Sequence, residues 1–140
     1  MACIRAAQLR LGYPPTLDAS ADALRTLPDV LAQAVEKYST RPAYSCMGHT
    51  LSYADVDRLS RQFAAYLQNH ADLKIGDRIA IQLPNILQYP VAVFGALRAG
   101  MVVVNVNPLY TPDEMQHQLS DSGAVAIVIL ANMASKLQDI

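Results

Sequence analysis

Cysteine, histidine and clustered glycine are scarce in this chain of 140 residues, and each scarcity removes a class of chemistry. The two cysteines, Cys3 and Cys46, lie far apart and form no Cys-x-x-Cys pair, so neither a disulfide framework nor a zinc site is indicated and a reducing cytoplasm fits. The three histidines, His49, His70 and His117, have no ligand spacing and read as surface residues, because a zinc site needs several convergent ligands. The six glycines, at 12, 48, 76, 95, 100 and 123, stand singly. A phosphate cradle needs several backbone N–H groups aimed at one anion, and neither G-x-G-x-x-G nor G-x-x-x-x-G-K-S/T is present.

Charge is also sparse. Charged residues make up 16% of the chain, eleven basic against twelve acidic, for a net charge of -1. No basic stripe could release counterions from a nucleic acid backbone, which argues against nucleic acid as a partner. No uncharged apolar run reaches transmembrane length, and the segment carrying Arg5 and Arg10 lacks the apolar stretch of a signal peptide. The expectation is a soluble protein, at most peripheral to a membrane.

What the chain does have is apolar residue, 52% of the total. That excess suggests strands buried on both faces, or surface that expects a partner. One domain of this length buries about two thirds of its unfolded surface. Residues 1–25, including Tyr13-Pro14-Pro15, show no sustained periodicity and read as an extended arm. A helix is expected from Thr26, where Thr26 and Asp29 match a capping box and Val30, Leu31, Ala34, Val35 and Tyr38 repeat at helical spacing, to about Thr40-Arg41-Pro42. Ala43 to Met47 and Thr50 to Tyr53 flank Gly48-His49, which reads as a two-residue hairpin turn. Ser52 with Asp55 caps a second helix whose Val56, Leu59, Phe63, Tyr66 and Leu67 form one apolar stripe.

After Lys74-Ile75-Gly76-Asp77 the texture changes. Residues 78–83, 101–104 and 124–130 are nearly continuous apolar runs, as expected of parallel strands covered on both faces. Between them, Ile86 to Ala99 and Pro112 to Ser122 read as helices, each followed by a glycine suited to the left-handed cap, Gly100 and Gly123. The fold class is therefore α/β, a βαβαβ parallel sheet with right-handed crossovers, preceded by the arm, a helix, a small antiparallel hairpin and a further helix. Asn85 is expected to cap the first crossover helix, Thr111 and Glu114 to form a capping box on the second, and Pro90 to kink the first. Gly95, inside an apolar helix, is expected to admit a neighbouring backbone. Ala131 to Ile140 reads as a helix cut off in mid-course, so a fragment is the simpler expectation.

In open parallel sheets ligands collect outside the carboxyl ends of the strands. Asn85, Asn105, Asn107 and Asn132 sit at those ends and could bind a polar group. Equally, Asn85 and Asn132 serve as caps and Asn107-Pro108 as a turn, which asparagine's local backbone bonding explains without any ligand. The carboxylates Asp55 with Asp57, Asp72 with Asp77, and Asp113 with Glu114 lie mainly in helix first turns, where they favour the macrodipole. Ser52 lacks the G-x-S-x-G setting of a hydrolase nucleophile, and Cys46 has no motif around it.

As strings, several segments resemble the acyl-AMP-forming family, which includes acyl-CoA synthetases, luciferases and peptide-synthetase adenylation domains. Leu51-Ser52-Tyr53-Ala54-Asp55-Val56 resembles its first core motif, and Gly76-Asp77-Arg78-Ile79-Ala80-Ile81 the start of the strand that follows. Leu97-Arg98-Ala99-Gly100 through Asn107-Pro108-Leu109-Tyr110-Thr111-Pro112-Asp113-Glu114 resembles its second core motif. Within the family, Leu83-Pro84-Asn85-Ile86-Leu87-Gln88-Tyr89-Pro90-Val91-Ala92 and Val103-Val104-Asn105-Val106-Asn107-Pro108-Leu109-Tyr110-Thr111-Pro112 look like the bacterial long-chain fatty acyl-CoA synthetases. The resemblance covers about residues 13–140, and the order and spacing of the motifs make it specific.

That resemblance implies a parent enzyme joining a fatty acid to CoA with ATP and magnesium, through an acyl-adenylate and with release of pyrophosphate. It implies a cytoplasmic location, with room for peripheral association with the inner membrane and for a homodimer. The family's phosphate-binding Ser/Thr/Gly-rich loop, its magnesium acid, its ribose aspartate and its lid lysine all fall beyond the second core motif. No catalytic, cofactor-binding or metal-binding residue is therefore assigned to this chain, and residues 26–140 are expected to be the first α/β part of a larger amino-terminal domain, cut at Ile140 and inactive alone. The alternative reading is a self-standing α/β binding or dimerisation module, suggested by the apolar excess and the Tyr13-Pro14-Pro15 arm.

Overall fold

The structure, a computed structural model, describes residues 26–140. The arm expected over residues 1–25 lies outside the described residues. Helix α1, Leu27–Tyr38, starts on the expected capping box: the Thr26 hydroxyl accepts from the Asp29 N–H, and the Asp29 carboxylate accepts from the Thr26 N–H. Strands β1, Pro42–Cys46, and β2, His49–Ser52, form the expected antiparallel pair. Its turn is Met47-Gly48, one residue earlier than the pattern suggested, because His49 already pairs with Cys46. Both turn residues have positive φ, 49° and 78°, as the tight primed hairpin turn requires.

Helix α2, Tyr53–His70, starts on the Ser52–Asp55 capping box. Its buried line is Val56, Ser60, Ala64 and Leu67, so the helix is rotated from the expected stripe and Tyr66 is 54% exposed. Small side chains lie inside because a second helix approaches there. That helix, α3, covers Gln88–Arg98 and brings Gly95 against α2. A methyl carbon on Gly95 would lie 2.7 Å from Phe63 Cδ1 and 3.0 Å from the Ser60 carbonyl oxygen, so the expectation of a close backbone approach holds. The same contact is locked by an ion pair, Arg98 Nη2 to Asp57 Oδ1 at 2.6 Å, with Arg61 Nε on the other carboxylate oxygen at 2.9 Å.

Asn85 does not cap α3. The helix starts at Gln88, Leu87 stands at its N-cap without a side-chain bond, and a turn closed by the Ile86 N–H on the Pro84 carbonyl precedes it. The later start also removes the expected reason for a kink. Pro90 falls in the first turn, where the N–H it lacks would have had no partner within the helix.

Three parallel strands follow the expected succession: β3, Arg78–Gln82; β4, Val102–Asn105; and β5, Ala126–Ile129. Helix α4, Pro112–Ser122, lies between the last two, on its Thr111–Glu114 capping box, and Gly100 and Gly123 take the left-handed conformation expected after α3 and α4. The sheet order is β4-β3-β5, so the first crossover steps to one side of β3 and the second returns past it to the other. Two crossovers of one hand that step in opposite directions put their helices on opposite faces. Side-chain alternation agrees. Ile79, Val103, Ala126 and Val128 pack with Ala64 and Leu67 of α2 and with Ala96 and Ala99 of α3. Ala80, Val104, Ile127 and Ile129 pack with Met115 and Leu119 of α4. The segment Ala131–Asp139, expected as a helix, is a 3-10 helix, and its Leu137 joins the α4 side.

The α2–α3 contact leaves no room for a side chain at Gly95, and the Ser60 carbonyl cannot rotate away. Gly95→Val is therefore expected to destabilise the chain by about 1–3 kcal/mol through overpacking. The exposed neighbour variant Ala65→Val should lose under about 1 kcal/mol, the helix-propensity term alone. Denaturant midpoints of the two variants check this, and equal midpoints would contradict the close packing.

Candidate functional site

The polar structure of the molecule concentrates at the carboxyl end of the sheet, in the loop from Asn105 to Thr111 that joins β4 to α4. Order within the loop is local: the Asn107 side chain accepts from the Leu109 N–H at 3.0 Å, and its carbonyl accepts from the Tyr110 N–H at 3.1 Å. The turn reading of Asn107 therefore accounts for it. Outside the loop, four side chains from three helical elements and the central strand hold it. Gln118 of α4 donates to the Asn105 carbonyl at 3.0 Å, and Gln82 at the end of β3 donates to the Asn107 carbonyl at 3.1 Å. Lys136 of the 3-10 segment reaches the Tyr110 carbonyl at 2.9 Å and the Pro108 carbonyl at 3.4 Å. From α3, the Tyr89 hydroxyl donates to the Asn105 side-chain oxygen at 2.9 Å.

Gln82 is the unexpected member. It is fully buried among apolar neighbours, and its amide oxygen finds no protein partner, as is also true of the amide oxygen of Gln118. A buried unpaired amide oxygen costs about 1–3 kcal/mol, so the glutamine is held there against a penalty. Its signal in the sequence is a single amide inside an apolar run. Lys136 carried no signal, because its two acceptors lie more than twenty residues upstream. Leu109, at the loop tip, is 85% exposed.

The remaining candidates do not join this loop. Asn85 and Asn132 are exposed, and neither acts as a cap: Leu87 precedes α3 and Leu130 precedes the 3-10 segment. Cys46 is half-buried, with its sulfur 3.5 Å from the Asn85 carbonyl. The Asp55 carboxyl is held below its ordinary range by the Ser52 hydroxyl and N–H, with Arg58 adding to the effect. Burial pushes the Asp57 carboxyl up, but the hydrogen bond from Arg61 and the charges of Arg98 and Arg61 outweigh it, and the net direction is down. Glu114 is lowered by the Thr111 N–H and hydroxyl, and Asp77 accepts from the Lys74 N–H at 2.8 Å. These carboxylates are thus helix caps, an ion-pair hub and a turn former, and the lowered pKa values of Asp55, Asp57 and Glu114 move them away from a proton donor at neutral pH. His49 and His117 are exposed on β2 and α4, while the His70 ring lies against Tyr66 at 5.7 Å. Among the described residues no three His, Cys, Asp or Glu side chains group closely enough to hold a metal ion, and no helix is long and apolar enough to cross a membrane.

Comparison with known proteins places this arrangement among relatives. The model of the family described as AMP-binding enzyme matches residues 31–140. The long-chain-fatty-acid–CoA ligase of Escherichia coli O6:H1 is 54% identical over 119 residues, covering 85% of this chain and 21% of the relative. The chain thus spans about a fifth of the length of the curated relatives it matches. Among solved structures, a benzoate CoA ligase from Burkholderia xenovorans superposes with a TM-score of 0.75 at 26% identity, over 82% of this chain and 23% of that one. A fatty acyl CoA synthetase from Mycobacterium tuberculosis does so with a TM-score of 0.73 at 26% identity, over 81% and 23%.

If Lys136 pins the loop, Lys136→Met should release it without unfolding the sheet. The backbone amides of Leu109 and Tyr110 are expected to exchange at least about fivefold faster, a local loss of about 1 kcal/mol or more, while those of β3 stay unchanged. Hydrogen exchange resolved by residue reads this, and an unchanged loop would remove Lys136 from the account.

Proposed function

The chain belongs to the AMP-binding enzyme family, and from that premise we propose that it forms the amino-terminal scaffold of a long-chain fatty acid–CoA ligase. The proposed parent reaction joins a fatty carboxylate to ATP, releasing pyrophosphate, and passes the acyl group of the resulting adenylate to the thiol of CoA, releasing AMP. One observation carries the reading: 54% identity, held across 119 residues, to a relative named for that activity. Solved structures that share the fold at 24–28% identity bear other names, so the much higher value favours the long-chain reading.

The described residues do not themselves form a site that fits ATP, magnesium or CoA. Among the described residues the glycines are isolated and no acidic group gathers for a metal, so the proposed groups would be held by other parts of the parent enzyme. What this chain contributes is placement. The reversal of crossover direction beside β3 is where ligands gather in open α/β sheets, and the Asn105–Thr111 loop is braced at that end of the sheet. A rigid rim supports catalysis by fixing the geometry of groups supplied by neighbours.

Two measurements check this. Incubated alone with ATP, magnesium and oleate, the chain should release no pyrophosphate above background. Grafted into the Escherichia coli ligase in place of the matched segment, it should restore oleoyl-CoA formation to within about tenfold of the parent, a loss of about 1.4 kcal/mol at most in the barrier. Pyrophosphate release by the isolated chain, or a folded but inactive graft, would overturn the proposal.

A further inference from the structure

Helix α1, on which the arm of residues 1–25 ends, packs against both α2 and α3. Those two helices and strand β2 form an apolar groove of about 310 Å³, lined by Leu51, Leu59, Leu87 and Val91 together with the exposed Gln88. Leu59 belongs to the apolar stripe read from the sequence of α2, yet it is only half-buried, as are Leu51, Leu87 and Val91. The chain just upstream of α1 has the chemistry to cover them: six of the nine residues from Leu9 to Leu17 are leucine, tyrosine or proline. Pro14 and Pro15 bring no N–H into an apolar groove, so burying them leaves no donor without a partner, and two prolines in succession favour an extended backbone before docking.

We propose that this groove is the docking site of the chain's own arm, with Tyr13-Pro14-Pro15 seated against Leu59, Leu87 and Val91. The inference does not rest on the ligase reading. Length permits it, because residues 16–25 reach up to about 35 Å when extended, against a radius of gyration of about 13 Å for a domain of this size. The match to the Yersinia pestis ligase covers 91% of this chain, more than residues 26–140 make up, so that relative carries a counterpart to the end of the arm as well. Tethering also lowers the affinity required. A short linker holds the segment at an effective concentration of about 1 mM, so an intrinsic dissociation constant of about 0.1 mM keeps it docked about nine tenths of the time. The docked arm covers the half-buried side chains on α2 and α3, and Gln88 beside them offers its amide to the arm's carbonyls or the Tyr13 hydroxyl.

The test is limited trypsin digestion of the full chain beside a synthetic peptide of residues 1–25. Docking at residues 13–15 shields the bond after Arg10, whereas the bond after Arg5 lies further from the seat. Cleavage after Arg10 is expected to be about tenfold slower in the chain than in the peptide, because it follows the undocked fraction, with the bond after Arg5 slowed much less. Tyr13→Ser and Val91→Lys should each restore the rate of the corresponding peptide, and the two together should do no more than either alone. Val91 is half-buried, so a melting curve accompanies that variant; Tyr13→Ser precedes the described residues and decides the matter if Val91→Lys does not fold. Equal rates in chain and peptide, or protection that both substitutions leave intact, overturn the proposal. So does protection that fades on dilution, because the arm then occupies the groove of a second copy.

Discussion

Strand β3 has a hydrogen-bonded neighbour on each edge and helices over each face, and the rest of the described chain is arranged around that confinement. Ile79, Ala80, Ile81 and Gln82 are almost completely buried, so no slip of register is available that would not carry an apolar side chain out of one core into the other. The ladder to β4 pairs Ile79 with Val103, and the ladder to β5 pairs Ile79 with Ala126, which makes one residue the common reference for both flanking strands. Helices α2 and α3 then close over the face that carries Ile79, Val103 and Ala126, and α4 with the 3-10 segment over the other.

Function follows from where β3 ends. Gln82 is the last residue of the strand and the first of the braces on the Asn105–Thr111 loop, so the position of the sheet is passed directly to the rim. Lys136 completes the brace from the far end of the described chain, on a segment that follows β5. The rim is thus referred to both neighbours of the central strand.

Much of this was legible in the amino acids, for physical reasons that differ by element. Thr26 with Asp29, Ser52 with Asp55 and Thr111 with Glu114 each satisfy orphan N–H groups over three residues, an interaction short enough to read from the string. The three apolar runs marked strands buried on both faces, and Gly100 and Gly123 marked helix ends needing positive φ. Where reading failed, the deciding interaction was distant. The rotation of α2 depends on Gly95 of another helix, and so Ser60 and Ala64 went inside while Tyr66 stayed out. Asn85 had the right chemistry for a cap, but the Pro84–Leu87 turn moved the helix start past it. The hairpin turn was displaced by one residue because Met47 adopts a conformation that its side chain alone would not suggest. The loop braces of Gln82 and Lys136 cross 25 or more residues, so beyond a lone amide in an apolar run at Gln82 the string shows nothing of them.

Residue-resolved hydrogen exchange on the intact chain tests the central role of β3 most directly. Amides of Ile79, Ala80 and Ile81 should be the slowest in the molecule, opening only with global unfolding, while those of the β1–β2 hairpin exchange through local fluctuations well below that free energy. Hairpin amides as slow as those of β3, or β3 amides that exchange before the α2–α3 pair, would contradict it.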